Sequence, residues 1–106
     1  MINITFKPNT YELEINGHAG HGKKGKDIVC SAVSCLFYTL GENLYENVHL
    51  LEEAPLMDDD DGRGYISSIP KEGCYEKVAL IYSVIANGMK IVADNYPKHV
   101  TFRVEE

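Results

Sequence analysis

Apolar and polar side chains alternate in two short segments at the start of the sequence. The first alternation covers residues 2–6 and the second covers residues 11–15, with Lys7, Pro8, Asn9 and Thr10 between them. A period of two is typical of a strand that buries one face. The two segments therefore predict a β-hairpin.

From residue 28 onward, the apolar positions follow a helical spacing instead. They recur at Val29, Ala32, Val33, Leu36, Phe37 and Leu40. Asp27 precedes this stretch and is a favourable N-cap residue, and Gly41 is a plausible stop. The pattern predicts a helix from Ile28 to about Gly41.

The second half of the sequence predicts two more strands, a second helix and a last strand. Residues 48–51 and 64–69 form the strands, joined by Pro55 and the acidic loop 58–62. Residues 74–95 carry one apolar stripe and form the helix, which Pro97 ends. Within this helix, Gly88 lowers the stability by about 1 kcal/mol relative to alanine, unless close packing leaves no room for a side chain at this position. Residues 100–104 alternate again.

This order of elements, ββαββαβ, predicts an α+β fold. We expect two layers, with two main helices covering one face of a mostly antiparallel sheet of about five strands. A chain of 106 residues is sufficient for one modest core. The expected organisation is therefore a single domain over residues 1–106.

Composition narrows the class of protein. A formal net charge of -6 argues against a nucleic-acid partner, because such proteins normally present a basic face, whereas a basic peptide partner is compatible. The apolar runs are too short to span a bilayer, and the first residues lack the zones of a signal peptide. We therefore expect a cytoplasmic protein without a membrane partner, in which Cys30, Cys35 and Cys74 are reduced thiols.

The glycine- and lysine-rich segment Gly17–Ser34 carries the candidate chemistry. Residues 20–25 fit G-x-G-x-x-G, but a dinucleotide site needs a parallel βαβ unit, and the preceding segment predicts a hairpin. Residues 17–24 resemble a P-loop, but Lys24 stands where a magnesium-binding Ser or Thr belongs. Both nucleotide sites are disfavoured.

A zinc site is a further alternative, with His18, His21, Cys30 and Cys35 as four ligands. The two cysteines are five residues apart, so on a helix they point about 140° away from each other. Convergence on one ion would strain the helix. We therefore expect neither a metal nor another cofactor.

Nucleophilic chemistry fits the same segment with less strain. Cys30 would lie in the first turn of the predicted helix, where unpaired N–H groups and the helix dipole stabilise a thiolate. His18 or His21 could supply a base from the loop. The carboxylate of Asp27 disfavours a nearby thiolate, so Asp27 would cap the helix or orient the histidine. The competing interpretation is that Cys30 is an ordinary core cysteine.

The string G-H-A, a glycine-containing stretch and then G-K-D-I-V-C-S-A-V-S resembles the signature of the ribosomal-processing cysteine protease family. That family removes the N-terminal extension of the bacterial large-subunit ribosomal protein twenty-seven. The resemblance is close over Gly17–Ser34, and the chain length and element order also agree. It implies a cysteine endopeptidase with this peptide substrate, without a cofactor, and a homodimer.

The resemblance also implies the roles of individual residues. His18 matches the catalytic histidine and Cys30 the nucleophile, while Asp27 and Ser34 match supporting positions. The substrate-binding loop would include Gly17, Gly20, His21, Gly22 and Gly25. We expect His21 to be a solvated loop residue, with helix-start N–H groups near Ser31 and Ala32 as oxyanion donors. The alternative function is a non-enzymatic ribosome-associated or peptide-binding module.

Overall fold

The structure is a computed structural model that describes residues 1–20, 22–23 and 27–106. Within these residues, two long helices accompany a five-stranded sheet. The strands are β1 (Ile2–Lys7), β2 (Glu12–Gly17), β3 (Leu56–Asp60), β4 (Arg63–Ser67) and β5 (Val100–Val104). The helices are α1 (Ile28–Glu46) and α2 (Tyr75–Asn95), and a short 3-10 helix spans Val48–Leu50.

The strands lie in the order β3-β4-β2-β1-β5. All neighbouring pairs are antiparallel except β1 and β5, which run parallel with Ile2 opposite Val100. The parallel pair arises because α2 carries the chain across the sheet between β4 and β5. The predicted α+β architecture and the order ββαββαβ are confirmed.

The apolar residues of the alternating strands form one face of the sheet, on which both helices pack. Ile4 pairs with Ile15, and Leu13 with Ile66, so these side chains share that face. The core between sheet and helices includes Val33, Phe37, Leu40, Val78, Tyr82 and Met89. Polar residues form the opposite face, where Thr101 donates a hydrogen bond to Asn3 at 2.7 Å. The helices therefore cover one face only.

The third strand is not where the sequence pattern predicts it. Residues 48–51 form the 3-10 helix and an isolated bridge, whereas the acidic segment forms β3 and pairs with β4. β3 is an edge strand with mostly exposed side chains, so burial imposes little alternation on it. Gly62, at φ +71°, makes the turn into β4. The predicted strand at 48–51 is wrong, and the predicted acidic loop is mostly strand.

Helix α1 continues past Gly41, where its end was predicted. A side chain at this position would meet Met57, because an added Cβ would lie 2.8 Å from the Met57 Sδ atom. Gly41 therefore does not end the helix. It allows β3 to approach the helix closely. Gly88 has the same function in α2, where an added Cβ would lie 2.8 Å from Leu36 Cδ2. The close packing that would justify Gly88 is present.

By length and composition alone, α1 is apolar enough to cross a membrane. In this fold it packs on the sheet as a core helix. Its inner face is buried at Val29, Val33, Phe37, Leu40 and Leu44. Core helices of this kind commonly have such a composition, because they are apolar on more than one side.

Candidate functional site

Several loops and strand ends meet at one end of the sheet. The Gly17 amide, where β2 ends, donates to the Gly62 carbonyl at 2.7 Å, and the Ile2 amide donates to the His99 carbonyl at 2.8 Å. These contacts bring the segment after β2 beside the β3–β4 turn and the starts of β1 and β5. A cleft of about 820 Å³ opens here, between this end of the sheet and the start of α1.

His18 forms part of the cleft wall and lies against the β3–β4 turn. Its ring packs on Gly62, where an added Cβ would lie 2.8 Å from His18 Nε2. The Asp61 Oδ1 atom is 3.7 Å from the same nitrogen, and the His18 side chain is 60% exposed. The sequence pattern predicts an acidic loop at residues 58–62 and gives no sign that Asp61 faces a histidine.

Asp27 caps α1 as predicted. Its Oδ1 atom accepts hydrogen bonds from the amides of Val29 at 2.9 Å and Cys30 at 3.1 Å. Its Oδ2 atom accepts from the Gly22 amide at 3.1 Å, and the residue is only 5% exposed. The carboxylate thus satisfies two helix-start donors and links the glycine-rich segment to the helix.

Cys30 is half-buried in the first turn of α1 and lines the same cleft as His18. Its Sγ atom accepts a hydrogen bond from the Ala19 amide at 3.3 Å. Because Ala19 directly follows His18, this bond brings the histidine-bearing segment to the thiol. The side chain of Ala19 is itself buried, at 2% exposure.

The helix-start donors are more fully engaged than the sequence pattern suggested. The Ser31 amide donates to the Asp27 carbonyl at 3.0 Å, and the Cys30 amide is bound by the Asp27 carboxylate. Ser31 therefore differs from the expected oxyanion donor, since its amide makes the first intrahelical hydrogen bond, to the carbonyl of the N-cap residue. Among the described residues, it is the Ala19 amide that points to Cys30 Sγ.

His99 lies beside this arrangement and contacts the residue that follows His18. Its Nδ1 atom is 2.9 Å from the Ala19 carbonyl oxygen. The alternating pattern around residue 99 carries no signal for this contact, because it depends on the parallel pairing of β1 and β5.

The remaining predicted site residues are distributed around the cleft. Ser34 is exposed and lines the cleft, but its side chain makes no hydrogen bond to another described residue. Gly17, Gly20 and Gly22 also line it. The predictions for His21 and Gly25 lie outside the described residues.

Cys35 is exposed on α1 and does not line the cleft. Cys30 and Cys35 diverge as helical geometry requires, so only the first of these two candidate zinc ligands lines the cleft with His18. Across residues 1–20, 22–23 and 27–106, no group of three His, Cys, Asp or Glu side chains is arranged to hold a metal. Cys74 caps α2 and packs partly against the core.

One wall of the cleft is acidic. Asp59, Asp60 and Asp61 line it at the end of β3 and in the following turn. The Tyr38 hydroxyl donates a hydrogen bond to the Asp59 carboxylate, and this bond raises the pKa of Tyr38. The wall thus carries three carboxylates, and the cation Arg63 lines the same cleft.

Comparisons with known proteins converge on one family. The family model described as "Cysteine protease Prp" matches residues 1–101. A relative from Mycoplasma genitalium, named ribosomal processing cysteine protease Prp, is 30% identical over 99% of this chain and 97% of its own length.

Solved structures show the same fold. The ribosomal processing protease Prp of Staphylococcus aureus, in complex with a covalently linked product peptide, has a TM-score of 0.78 at 22% identity, covering 99% of this chain and 100% of that one. Its complex with a substrate peptide has a TM-score of 0.73 with the same coverage. With the family model matching nearly the whole sequence, the chain belongs to the cysteine protease Prp family and is a cysteine protease.

Proposed function

We propose that this protease acts in ribosomal processing in the cytoplasm, where it removes the N-terminal extension of a bacterial large-subunit ribosomal protein. The Mycoplasma genitalium relative is named a ribosomal processing cysteine protease, and the Staphylococcus aureus structures contain a substrate or product peptide. The resemblance of Gly17–Ser34 to the family signature implies that the substrate is large-subunit protein twenty-seven. The cleft volume of about 820 Å³ is sufficient for a segment of extended peptide.

A Cys30–His18 dyad is the chemistry that we propose for this cleft. One observation carries it: both residues line the cleft, and the amide next to His18 contacts Cys30 Sγ. His18 would accept the thiol proton as Sγ attacks the scissile carbonyl carbon. It would then protonate the leaving amine, and water would hydrolyse the thioester.

Asp61 supports the role of His18 in this scheme. Its carboxylate lies 3.7 Å from His18 Nε2, the ring atom that faces the β3–β4 turn. Both side chains are largely exposed, so solvent screens the interaction. Asp61 therefore orients the ring more than it stabilises the fold.

The contact between Gly62 and the His18 ring gives a first prediction. Gly62→Ala would place a Cβ 2.8 Å from His18 Nε2, at a residue with φ +71°. The ring must then move away from its present position, and alanine adds about 1–2 kcal/mol of backbone strain. We expect kcat to fall about 10-fold or more, measured by initial cleavage rates.

Gly73→Ala is the matched control for this substitution. Gly73 also has positive φ, at +82°, but an added Cβ there meets no atom within 4 Å, and the residue does not line the cleft. The two variants therefore share backbone strain and differ in the collision with His18. Equal losses of kcat in both variants would contradict a specific role for the Gly62–His18 contact.

The homodimer that the resemblance implies is also part of this proposal. Leu80, Val84 and Ile91 are more than 60% exposed and follow a helical spacing on α2. Such an apolar stripe would favour burial against a second copy. The mass of the protein in solution, measured by light scattering, tests the dimer independently of activity.

The substrate proposal is tested by incubating the protein with the ribosomal-protein precursor and measuring the masses of the products. We expect two fragments whose masses add to that of the precursor plus one water. Recovery of the intact precursor would contradict the proposed substrate. Tight binding of an intact precursor would instead support the peptide-binding alternative.

A further inference from the structure

His99 is linked to the reactive thiol through one residue. Its Nδ1 atom lies 2.9 Å from the Ala19 carbonyl oxygen, and the Ala19 amide lies 3.3 Å from Cys30 Sγ. A carbonyl oxygen can only accept, so Nδ1 must carry the hydrogen in this bond. Both peptide groups that flank the Ala19 Cα atom are therefore held, one by His99 and the other by Cys30.

The backbone of His99 is a firm support for this bond. Its amide donates to the Tyr96 carbonyl at 2.9 Å, and its carbonyl accepts from the Ile2 amide at 2.8 Å. His99 is thereby tied to the end of α2 and to the start of β1. The side chain of Ala19 is buried, so core packing also restricts the movement of Ala19.

We propose that His99 is a positioning residue of this protease: it orients the Ala19 peptide so that the Ala19 N–H group stabilises negative charge at Cys30. The inference rests on the proposed role of Cys30 as the nucleophile. Neither the sequence signature nor the dyad includes His99, and its partner Ala19 acts through its backbone.

An oriented N–H group contributes to two steps of the reaction. Before attack, it donates to the Cys30 thiolate, which is a stronger acceptor than the thiol. During attack, the sulfur bonds to the scissile carbon and the electron pair of the C=O bond moves to the oxygen. That oxygen forms beside Sγ, where the Ala19 N–H group can donate to it.

This second role matters because three other amides among the described residues of the site are engaged elsewhere. The Cys30 amide is bound by the Asp27 carboxylate, and the Ser31 amide by the Asp27 carbonyl. The Gly22 amide is also bound by Asp27. The Ala19 amide thus supplies a donor that these three groups do not, and its orientation depends on His99.

The test compares His99→Leu with His99→Asn. Leucine keeps the bulk of the ring but has no donor, whereas the asparagine amide nitrogen reaches about the same point as histidine Nδ1. We expect His99→Leu to lower kcat about tenfold with KM changed less than about twofold, as for one lost oriented hydrogen bond. We expect His99→Asn to retain kcat within about threefold of the wild type.

A second measurement follows the thiol without any substrate. The rate at which iodoacetamide modifies Cys30, measured by peptide mass, is expected to fall about tenfold in His99→Leu and to recover in His99→Asn. Cys35 is the internal control, because it is exposed on the same helix and does not line the cleft. Its modification rate should be the same in all three proteins.

These measurements separate the inference from the proposed substrate. If the precursor stays intact but Cys30 modification still depends on the residue at position 99, the substrate is wrong and the inference stands. Equal Cys30 reactivity in the wild type and His99→Leu would overturn the inference. So would equal losses in His99→Leu and His99→Asn, or a parallel slowing at Cys35, since these indicate a structural effect.

Discussion

Cys30→Ala is expected to abolish cleavage of the ribosomal-protein precursor. The substitution removes the only atom that can form the acyl intermediate in the proposed mechanism, and the remaining groups cannot substitute for it. In enzymes of this type, loss of the nucleophile lowers kcat by at least about four orders of magnitude. Initial rates, followed by separation of precursor and product, measure the effect directly.

The fold should survive this change. Cys30 is only half-buried, and the Asp27 carboxylate binds the backbone amide at position 30 whichever side chain is present. Cys35→Ala is the matched control, since it removes an exposed thiol from the same helix. Cleavage by Cys30→Ala at a rate near that of the wild type would show that Cys30 is not the nucleophile. A comparable loss in Cys35→Ala would show that the effect is not specific to Cys30.

His18→Ala is expected to lower kcat by about 10²–10⁴-fold, the contribution of a positioned general base. The variant should still bind the precursor, because the cleft keeps its other walls. Its fold should also be retained, since the His18 side chain is 60% exposed and its ion pair with Asp61 is solvent-screened. Single-turnover cleavage and equilibrium binding, measured on the same protein, separate the two effects.

Two further histidine variants make this prediction specific. His49→Ala changes an exposed histidine on the 3-10 helix and should leave kcat unchanged. His21→Ala tests the other candidate base of the segment, which lies outside the described residues. If His21→Ala loses activity while His18→Ala retains it, the assignment of the base is reversed.

The sequence predicts those parts of the fold in which burial dictates a regular pattern. The hairpin alternates because Ile4 and Leu13 are buried on one face, and α2 keeps an apolar stripe through Val78 and Met89 for the same reason. β3 lacks such a pattern because it is an exposed edge strand whose position depends on pairing with β4. The predicted end of α1 at Gly41 is wrong, because this glycine is required by close packing against Met57. Rules for helix ends consider only neighbouring residues and do not include such a contact.

In the candidate site, too, local contacts are predictable from the sequence and long-range contacts are not. The Asp27 cap is local, and the structure confirms it. The contacts of His18 with Asp61 and of His99 with Ala19 join distant parts of the chain, the second across 80 residues. Spacing rules describe neighbours within one helix or hairpin, so such partners emerge only when the sheet is assembled.

The parallel pairing of β1 with β5 has a consequence for the timing of synthesis. It joins Ile2 to Val100, so the sheet is complete only after the segment containing β5 has left the ribosome. A nascent chain that ends before residue 99 already carries His18 and Cys30, but it lacks the hydrogen bond that holds the Ala19 peptide. The thiol is therefore expected to become fully reactive only once β5 has paired with β1.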